Sequence, residues 1–240
     1  MVRWRRAPDG EPEPEPDAYE ELRAGFTAAV SHELRTPLAR LLVLLESLDL
    51  PDADVPALAE QARGEVTQIR ELIDDVLFLS ELETGRRIVS LGETPVVPVL
   101  EAAAAELEVR AEHAAIAIRV SGNPSLTVPL RARMLRVVVD NLATNALRYA
   151  GSGTTLELGV AREGESVVVT AADDGAGVAE DDLPRLFERF YRADRVRASR
   201  GTGLGLAVVK HVVTAAGGTV EATGGPGTGL TVRCVFGADG

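Results

Sequence analysis

The sequence predicts a two-part chain, a long α-helical hairpin followed by an α+β domain. Three observations carry this. Between residues 17 and 50, Leu38, Leu41, Leu45 and Leu48 recur at spacings of three and four, which marks one apolar helix stripe. From 55 to 83, Ala62, Val66, Ile69, Ile73 and Val76 keep a four-three-four-three rhythm, the seam of a coiled coil or bundle. After Gly92 that rhythm breaks into short alternating runs interleaved with helical stretches, as expected of layered helices and antiparallel strands.

Residues 1–16 read as a disordered linker. Met1 to Arg6 is basic with no apolar core behind it, so it does not read as a signal peptide, and Glu11-Pro-Glu-Pro-Glu-Pro16 favours extended chain. Phe26 and Val30 carry apolar character into the first helix, and Leu50-Pro51-Asp-Ala-Asp54 breaks it. Gly85, beside Arg86 and Arg87, ends the second helix. Two stripes joined by a short loop make an antiparallel hairpin that buries only part of its apolar surface. Pairing with a second copy completes a four-helix bundle, so a homodimer is expected. Packing on the downstream domain is the alternative, disfavoured because that domain reads as having its own core. The expected bounds are 17–86 and 92–238.

Within the second part the pattern gives a helix over 96–113, short strands over 116–120 and 125–128, and a helix over 130–149. Strands follow over 155–161 and 166–172, turning at Glu163-Gly-Glu165. A helix over 203–216 precedes a terminal hairpin, 219–222 with 230–236, around a Gly-rich turn.

Composition narrows the functional classes. Aromatic residues make up only 4% of the 240, so Leu, Val and Ala must fill the cores. A formal net charge of −12 argues against nucleic acid or an anionic membrane as a partner held by bulk charge. The single cysteine, Cys234, rules out an internal disulfide; it sits in an alternating strand run, and a reducing, cytoplasmic setting is expected. No apolar run approaches the ~20 residues of a membrane span. Membrane attachment is therefore expected only through a segment outside this chain.

Four stretches carry chemistry. In Ser31-His32-Glu33-Leu34-Arg35-Thr36-Pro37-Leu38, the imidazole titrates near ~6.5 when unperturbed and offers a neutral nucleophilic nitrogen at cellular pH. Glu33 can accept the other ring N–H and fix the tautomer. Thr36, four residues on, shares the face of His32, and Pro37 removes a helical hydrogen bond and should bend the helix. Asn141 and Asn145, four apart, face one way, and amide oxygens are hard ligands suited to Mg²⁺. Asp173-Asp-Gly175-Ala-Gly177 puts a carboxylate at a strand end, able to accept from an amino group, beside glycines that permit close approach. Gly201-Thr-Gly203-Leu-Gly205-Leu206 leads into a helix whose N-terminus suits phosphate. A charged stretch with Arg192, Arg195, Arg197 and Arg200 precedes it, not the parallel strand of a dinucleotide fold. His113 and His211 have no motif around them and read as surface or packing residues.

In this order the stretches resemble the motifs of two-component sensor histidine kinases, over about Glu20 to Phe236. The resemblance implies a dimerisation and histidine-phosphotransfer domain followed by an α+β sandwich of the Bergerat type that binds ATP. It implies that His32 is the phosphoacceptor, aided by Glu33, with Thr36 supporting dephosphorylation. It assigns ATP binding to Asn141, Asn145, Arg148, Tyr149, Asp173, Gly175, Gly177, Arg192, Gly201, Gly203, Gly205 and Leu206, with Asn145 as principal Mg²⁺ ligand and Asn141 assisting. Phe187 and Phe190 would pack the base of a mobile lid over 192–200. The implied activity is autophosphorylation on His32 and transfer to an aspartate of a response regulator, a separate protein.

Gyrase-like and chaperone-like ATPases of this fold carry Glu where Asn141 stands; an amide cannot act as a general base, which favours transfer to a side chain over hydrolysis. The sequence departs from the family pattern at Val128-Pro129, where an acidic residue is common. A second reading stays open: a dimeric scaffold or phosphatase with its kinase activity suppressed.

Overall fold

The computed structural model describes residues 16–51, 53–83, 92–193 and 201–237, with 16–28 and 82–83 described for their backbone alone. The expected N-terminal linker, the helix stop at Gly85 with Arg86 and Arg87, and most of the expected lid fall outside the described residues. The chain divides into two compact units, one up to Ile69 and one from Arg70 onward.

The first unit holds α1 (Pro16–Ser47) and the first half of α2 (Val55–Glu83). α1 continues as helix through Pro37, whose ring is buried, and ends three residues before the expected limit. There the chain tightens, with the N–H groups of Leu48, Asp49 and Leu50 donating to carbonyls three residues back at 3.2, 3.3 and 3.3 Å. Asp54 starts α2 as an N-cap, its Oδ1 accepting the Ala57 N–H at 3.1 Å. The α1 stripe is only partly covered within one chain. Leu41 and Leu48 are half-buried, while Leu38 and Leu45 are 48% and 49% exposed, and Leu42 beside them is 60% exposed.

The second unit begins with the remainder of α2, where Leu72 and Leu79 are buried and Ile73 and Leu77 exposed. Of the expected seam, Ile73 is exposed and Val76 half-buried within one chain, while Leu72 and Leu79, outside the predicted stripe, are covered. Beyond it come β1 (Thr94–Pro95), α3 (Val96–Ala114), β2 (Ala117–Gly122), β3 (Thr127–Val128) and α4 (Ala132–Tyr149). Then follow β4 (Thr155–Glu163), β5 (Ser166–Asp173), a 3₁₀ turn over Glu180–Arg185, α5 (Gly205–Ala215), β6 (Thr219–Gly224) and β7 (Leu230–Phe236).

Five strands form one sheet in the order β2-β4-β5-β7-β6. The β4–β5 and β6–β7 pairs are antiparallel, as the turn signals predict. β2 runs parallel to β4, pairing Ala117 with Thr155. This departs from the all-antiparallel expectation because β3 and α4 intervene and return the chain in the same direction. β1 pairs with β3 as a two-residue ribbon, too short to leave a periodic signal.

β4 and β7 alternate as half-buried strands should. Leu156, Leu158 and Val160 of the first, and Leu230, Val232, Cys234 and Phe236 of the second, are buried. α3 brings Leu100, Ala103 and Leu107 to this core, and α4 packs between α3 and α5. Phe236 is the only aromatic side chain in the described core, so aliphatic burial supplies the stability, about 1.5–3 kcal/mol per fully buried large side chain.

Candidate functional site

α4 is the element on which the site is built. One side of it, Val138, Val139, Leu142, Ala143 and Ala146, is buried in the core. The other side carries Asn141, Asn145, Arg148 and Tyr149, which line a cavity of about 390 Å³. The helical repeat alone makes this division, because 141, 145, 148 and 149 share a face. Asn141 donates Nδ2 to the Val137 carbonyl at 2.9 Å, which fixes its amide and leaves Oδ1 as the outward group. A methyl group built on Gly205 would stand 2.7 Å from that oxygen, so Asn141 Oδ1 lies directly against the start of α5.

Asp173, the last residue of β5, lines the same cavity. Burial holds its carboxyl above the usual range, and hydrogen bonds from the backbone N–H groups of Gly175 and Leu230 oppose that rise. The Gly175 N–H reaches Oδ1 at 3.0 Å, and the neighbouring Asp174 accepts the Thr155 N–H at 2.6 Å. The loop thus aims Asp173 into the cavity and turns Asp174 back to the sheet. Gly177 lines the cavity, whereas Gly175 stands behind its wall. A Cβ at Gly175 would fall 2.2 Å from the Ala150 carbonyl oxygen, and the next residue, Ala176, donates its N–H to that oxygen at 2.9 Å. This glycine lets the loop clamp onto the C-terminal end of α4.

Gly203, Gly205 and Leu206 close another side of the cavity. Gly201 does not line it and instead abuts the Tyr149 hydroxyl. Phe190 donates its N–H to the Gly203 carbonyl at 3.0 Å, tying the aromatic segment to the glycine segment. Tyr191 and Arg192 also reach the cavity. The Tyr191 hydroxyl donates a hydrogen bond to Asp182, and the Arg185 guanidinium lies 4.1 Å from the centre of the Tyr191 ring, a cation–π contact. Lid residues 194–200 lie outside the described residues.

The cavity also includes groups that the sequence reading missed, among them Asp75, Thr144, Asp182 and Thr202. Thr202 is 6% exposed; its Oγ1 accepts the Leu204 N–H at 3.2 Å and donates to Asp75 Oδ2 at 3.1 Å. One turn earlier on α2, Glu71 accepts from Arg148 Nη2 at 2.6 Å. Burial pushes the Asp75 carboxyl up to about 6, Glu71 and Asp74 add to the rise, and Thr202 and Arg148 oppose it. Thr202 left a readable signal, a hydroxyl residue just before a helix start. Asp75 left none, since Asp74-Asp75 reads as a solvated helix face.

The His32 side chain, in the first unit, is 74% exposed, with Nδ1 3.6 Å from Glu33 Oε1. That separation is longer than a hydrogen bond; the carboxylate stands on the Nδ1 side of the ring, away from Nε2. Thr36 is exposed one turn further along α1, and His113 is exposed at the end of α3.

Residues 22–85 match the His Kinase A (phospho-acceptor) domain model, and residues 131–239 match the histidine kinase-, DNA gyrase B- and HSP90-like ATPase model. The chain is 35% identical over 218 residues to the sensor-like histidine kinase SenX3 of Mycolicibacterium smegmatis, covering 88% of this chain and 56% of the relative. It is 35% identical over 216 residues to the signal transduction histidine-protein kinase BaeS of Escherichia coli, covering 89% and 46%. The chain spans about half the length of the curated relatives it matches. Among solved structures, the Acinetobacter baumannii histidine kinase AdeS superposes with a TM-score of 0.72 at 24% identity, covering 87% of this chain and 98% of that one. ShkA, solved with AMPPNP, superposes with a TM-score of 0.62 at 26% identity, covering 92% and 45%. A phosphoacceptor module followed by an ATPase module, over a cavity walled by the asparagine, aspartate and glycine motifs in one place, makes this chain a member of the two-component sensor histidine kinase family.

Proposed function

We propose that the chain is the catalytic core of a sensor kinase that binds ATP in the α4 cavity and phosphorylates itself on His32. The observation that carries this is the convergence of Asn141, Asn145, Asp173 and Gly205, up to 64 positions apart in sequence, on one cavity of about 390 Å³. ShkA, which carries AMPPNP in its solved form, supports a triphosphate as occupant.

In this reading the Asp173 carboxylate accepts from the adenine amino group. Arg148, Arg192 and the N-terminal N–H groups of α5 face the phosphates. The donor set suits Mg²⁺: Asn141 already has its Nδ2 committed to Val137, so its oxygen is the group turned outward, and Asn145 stands on the same face. Held by Asn145 and Asn141, Mg²⁺ would neutralise phosphate charge. His32 Nε2 attacks the terminal phosphorus; the N–P bond forms as the bond to the bridging oxygen breaks, ADP departs, and the Nδ1 proton stays beside Glu33. The phosphoryl group then passes to an aspartate of a response regulator, the partner that family membership implies.

The exposed leucines at 38, 42 and 45 support homodimerisation through a four-helix bundle, since one chain leaves them uncovered. No helix among the described residues is long and apolar enough to cross a membrane. A domain that uses ATP works where ATP is supplied, and this reading therefore takes the ATP-binding part to face the cytoplasm. Thr36, exposed one turn from His32, supports an accompanying phosphatase activity toward the regulator. Incubation with γ-labelled ATP should give acid-labile, alkali-stable protein phosphate. His32→Gln should abolish the label while leaving nucleotide affinity intact, and label retained in His32→Gln would refute the assignment.

A further inference from the structure

We propose that Glu71 is a built-in competitor for the phosphate end of the nucleotide, so that the α2 segment of the second unit restrains its own ATP site. This rests on the nucleotide reading above and adds regulation to it.

Glu71 Oε2 lies 2.6 Å from Arg148 Nη2, with the two side chains 42% and 27% exposed. Arg148 is one of the cations assigned to the phosphates. A carboxylate meets a guanidinium through the same planar donor fork that a phosphate uses, so the two anions compete for one partner. Asp75, one turn along the same face of α2, lines the cavity and accepts the Thr202 hydroxyl at 3.1 Å. Thr202 belongs to the glycine segment that leads into α5, so the two acidic residues engage two separate walls of the site. Neither contact is local, with 77 positions between Glu71 and Arg148 and 127 between Asp75 and Thr202.

Two effects follow for an incoming triphosphate. It must take Arg148 from Glu71, and it meets the Glu71 carboxylate beside that cation. Withdrawal of residues 71–75 from the cavity removes both obstacles at once. Nucleotide affinity is therefore coupled to the position of this stretch of α2, and by reciprocity bound nucleotide favours its release.

The test is equilibrium binding of a fluorescent ATP analogue with Mg²⁺ to the full chain at fixed ionic strength. The variants are Glu71→Gln, Glu71→Ala, Arg148→Gln and the Glu71→Gln/Arg148→Gln double, each checked for native melting. Glu71→Gln and Glu71→Ala should tighten binding about two- to fivefold, the range expected for a partly exposed ion pair. Most of that gain should vanish in the Arg148→Gln background, where no partner remains to be released. An equal gain in both backgrounds, or unchanged or weaker binding in the Glu71 variants beside a wild type that binds, overturns this inference alone. Failure of the wild-type chain to bind at millimolar analogue overturns the nucleotide reading and this inference with it.

Discussion

Replacing Asp75 with Asn should stabilise the second unit, and the gain should depend on pH in a defined way. Burial is the main cause of its raised pKa, about 6 against an ordinary 3.8. Asn keeps the shape and an oxygen for the Thr202 hydroxyl but carries no charge. The raised value means that the folded protein binds a proton more tightly than the unfolded chain. The favourable contribution is complete below 3.8 and is lost as pH rises through about 6. At 1.36 kcal/mol per pH unit, the interval corresponds to roughly 3 kcal/mol above pH 7. Urea denaturation at pH 8 should therefore show Asp75→Asn more stable than wild type by about 1–3 kcal/mol. At pH 3.5 the gap should close, because both side chains are neutral. Asp140 and Asp173 also have raised values, and Glu106 and Glu163 lowered ones, so the difference between variant and wild type is the quantity to read. If α2 opens without global unfolding, the gain is capped by the opening free energy. Carboxyl ¹³C titration settles that case directly, with a midpoint near 6 expected. A midpoint near 4, or a stability gap that stays constant between pH 3.5 and 8, refutes the reasoning.

Three further outcomes test the site and the core. Gly175→Ala would push a methyl group to 2.2 Å from the Ala150 carbonyl oxygen, and relief of such overpacking costs about 1–3 kcal/mol. Calorimetry should show a Tm lower by several degrees, together with nucleotide affinity at least tenfold weaker as Asp173 loses its aim. Asn145→Ala should abolish the Mg²⁺-dependent part of nucleotide affinity, read by titration with and without Mg²⁺, while leaving the melting curve within about 0.5 kcal/mol of wild type, since Asn145 is half-buried on the cavity side of α4. Cys234, whose thiol burial pushes up to about 12, should stay unmodified by thiol reagents at pH 8 and react only on unfolding.

Elements whose period matches their burial were legible from sequence. β7 shows the alternation that Leu230 to Phe236 promises, because one face lies in the core. α2 runs over the expected Val55–Glu83, but Leu72 and Leu79, outside its predicted stripe, are the residues covered within one chain. The parallel register of β2 on β4 was not legible, since period-two alternation carries no sign of strand direction. In the site, Asn141, Asn145 and Asp173 could be found because each stands in a local motif of fixed spacing. Asp75 could not: what makes it part of the cavity is a threonine 127 positions away.

The same α4 that carries Asn141 and Asn145 presents Arg148 to an acidic partner on α2, and this makes the resting state adjustable. Leu72 and Leu79 of the same segment are buried, and an apolar contact of that kind does not respond to pH; the polar contacts beside it do. The polar part is a partly exposed ion pair, worth about 0.2–1 kcal/mol, joined to a buried carboxylate whose ionisation opposes its own burial. Protonating Asp75 strengthens this part of the contact and ionising it loosens it. The prediction that follows sets the two acidic residues apart. Asp75→Asn, which removes the cost of burying charge, should hold α2 more firmly and weaken nucleotide binding, whereas Glu71→Gln should strengthen it. Opposite signs for two substitutions one turn apart are difficult to obtain from a general change in surface charge, and equal signs would show that charge alone governs the site.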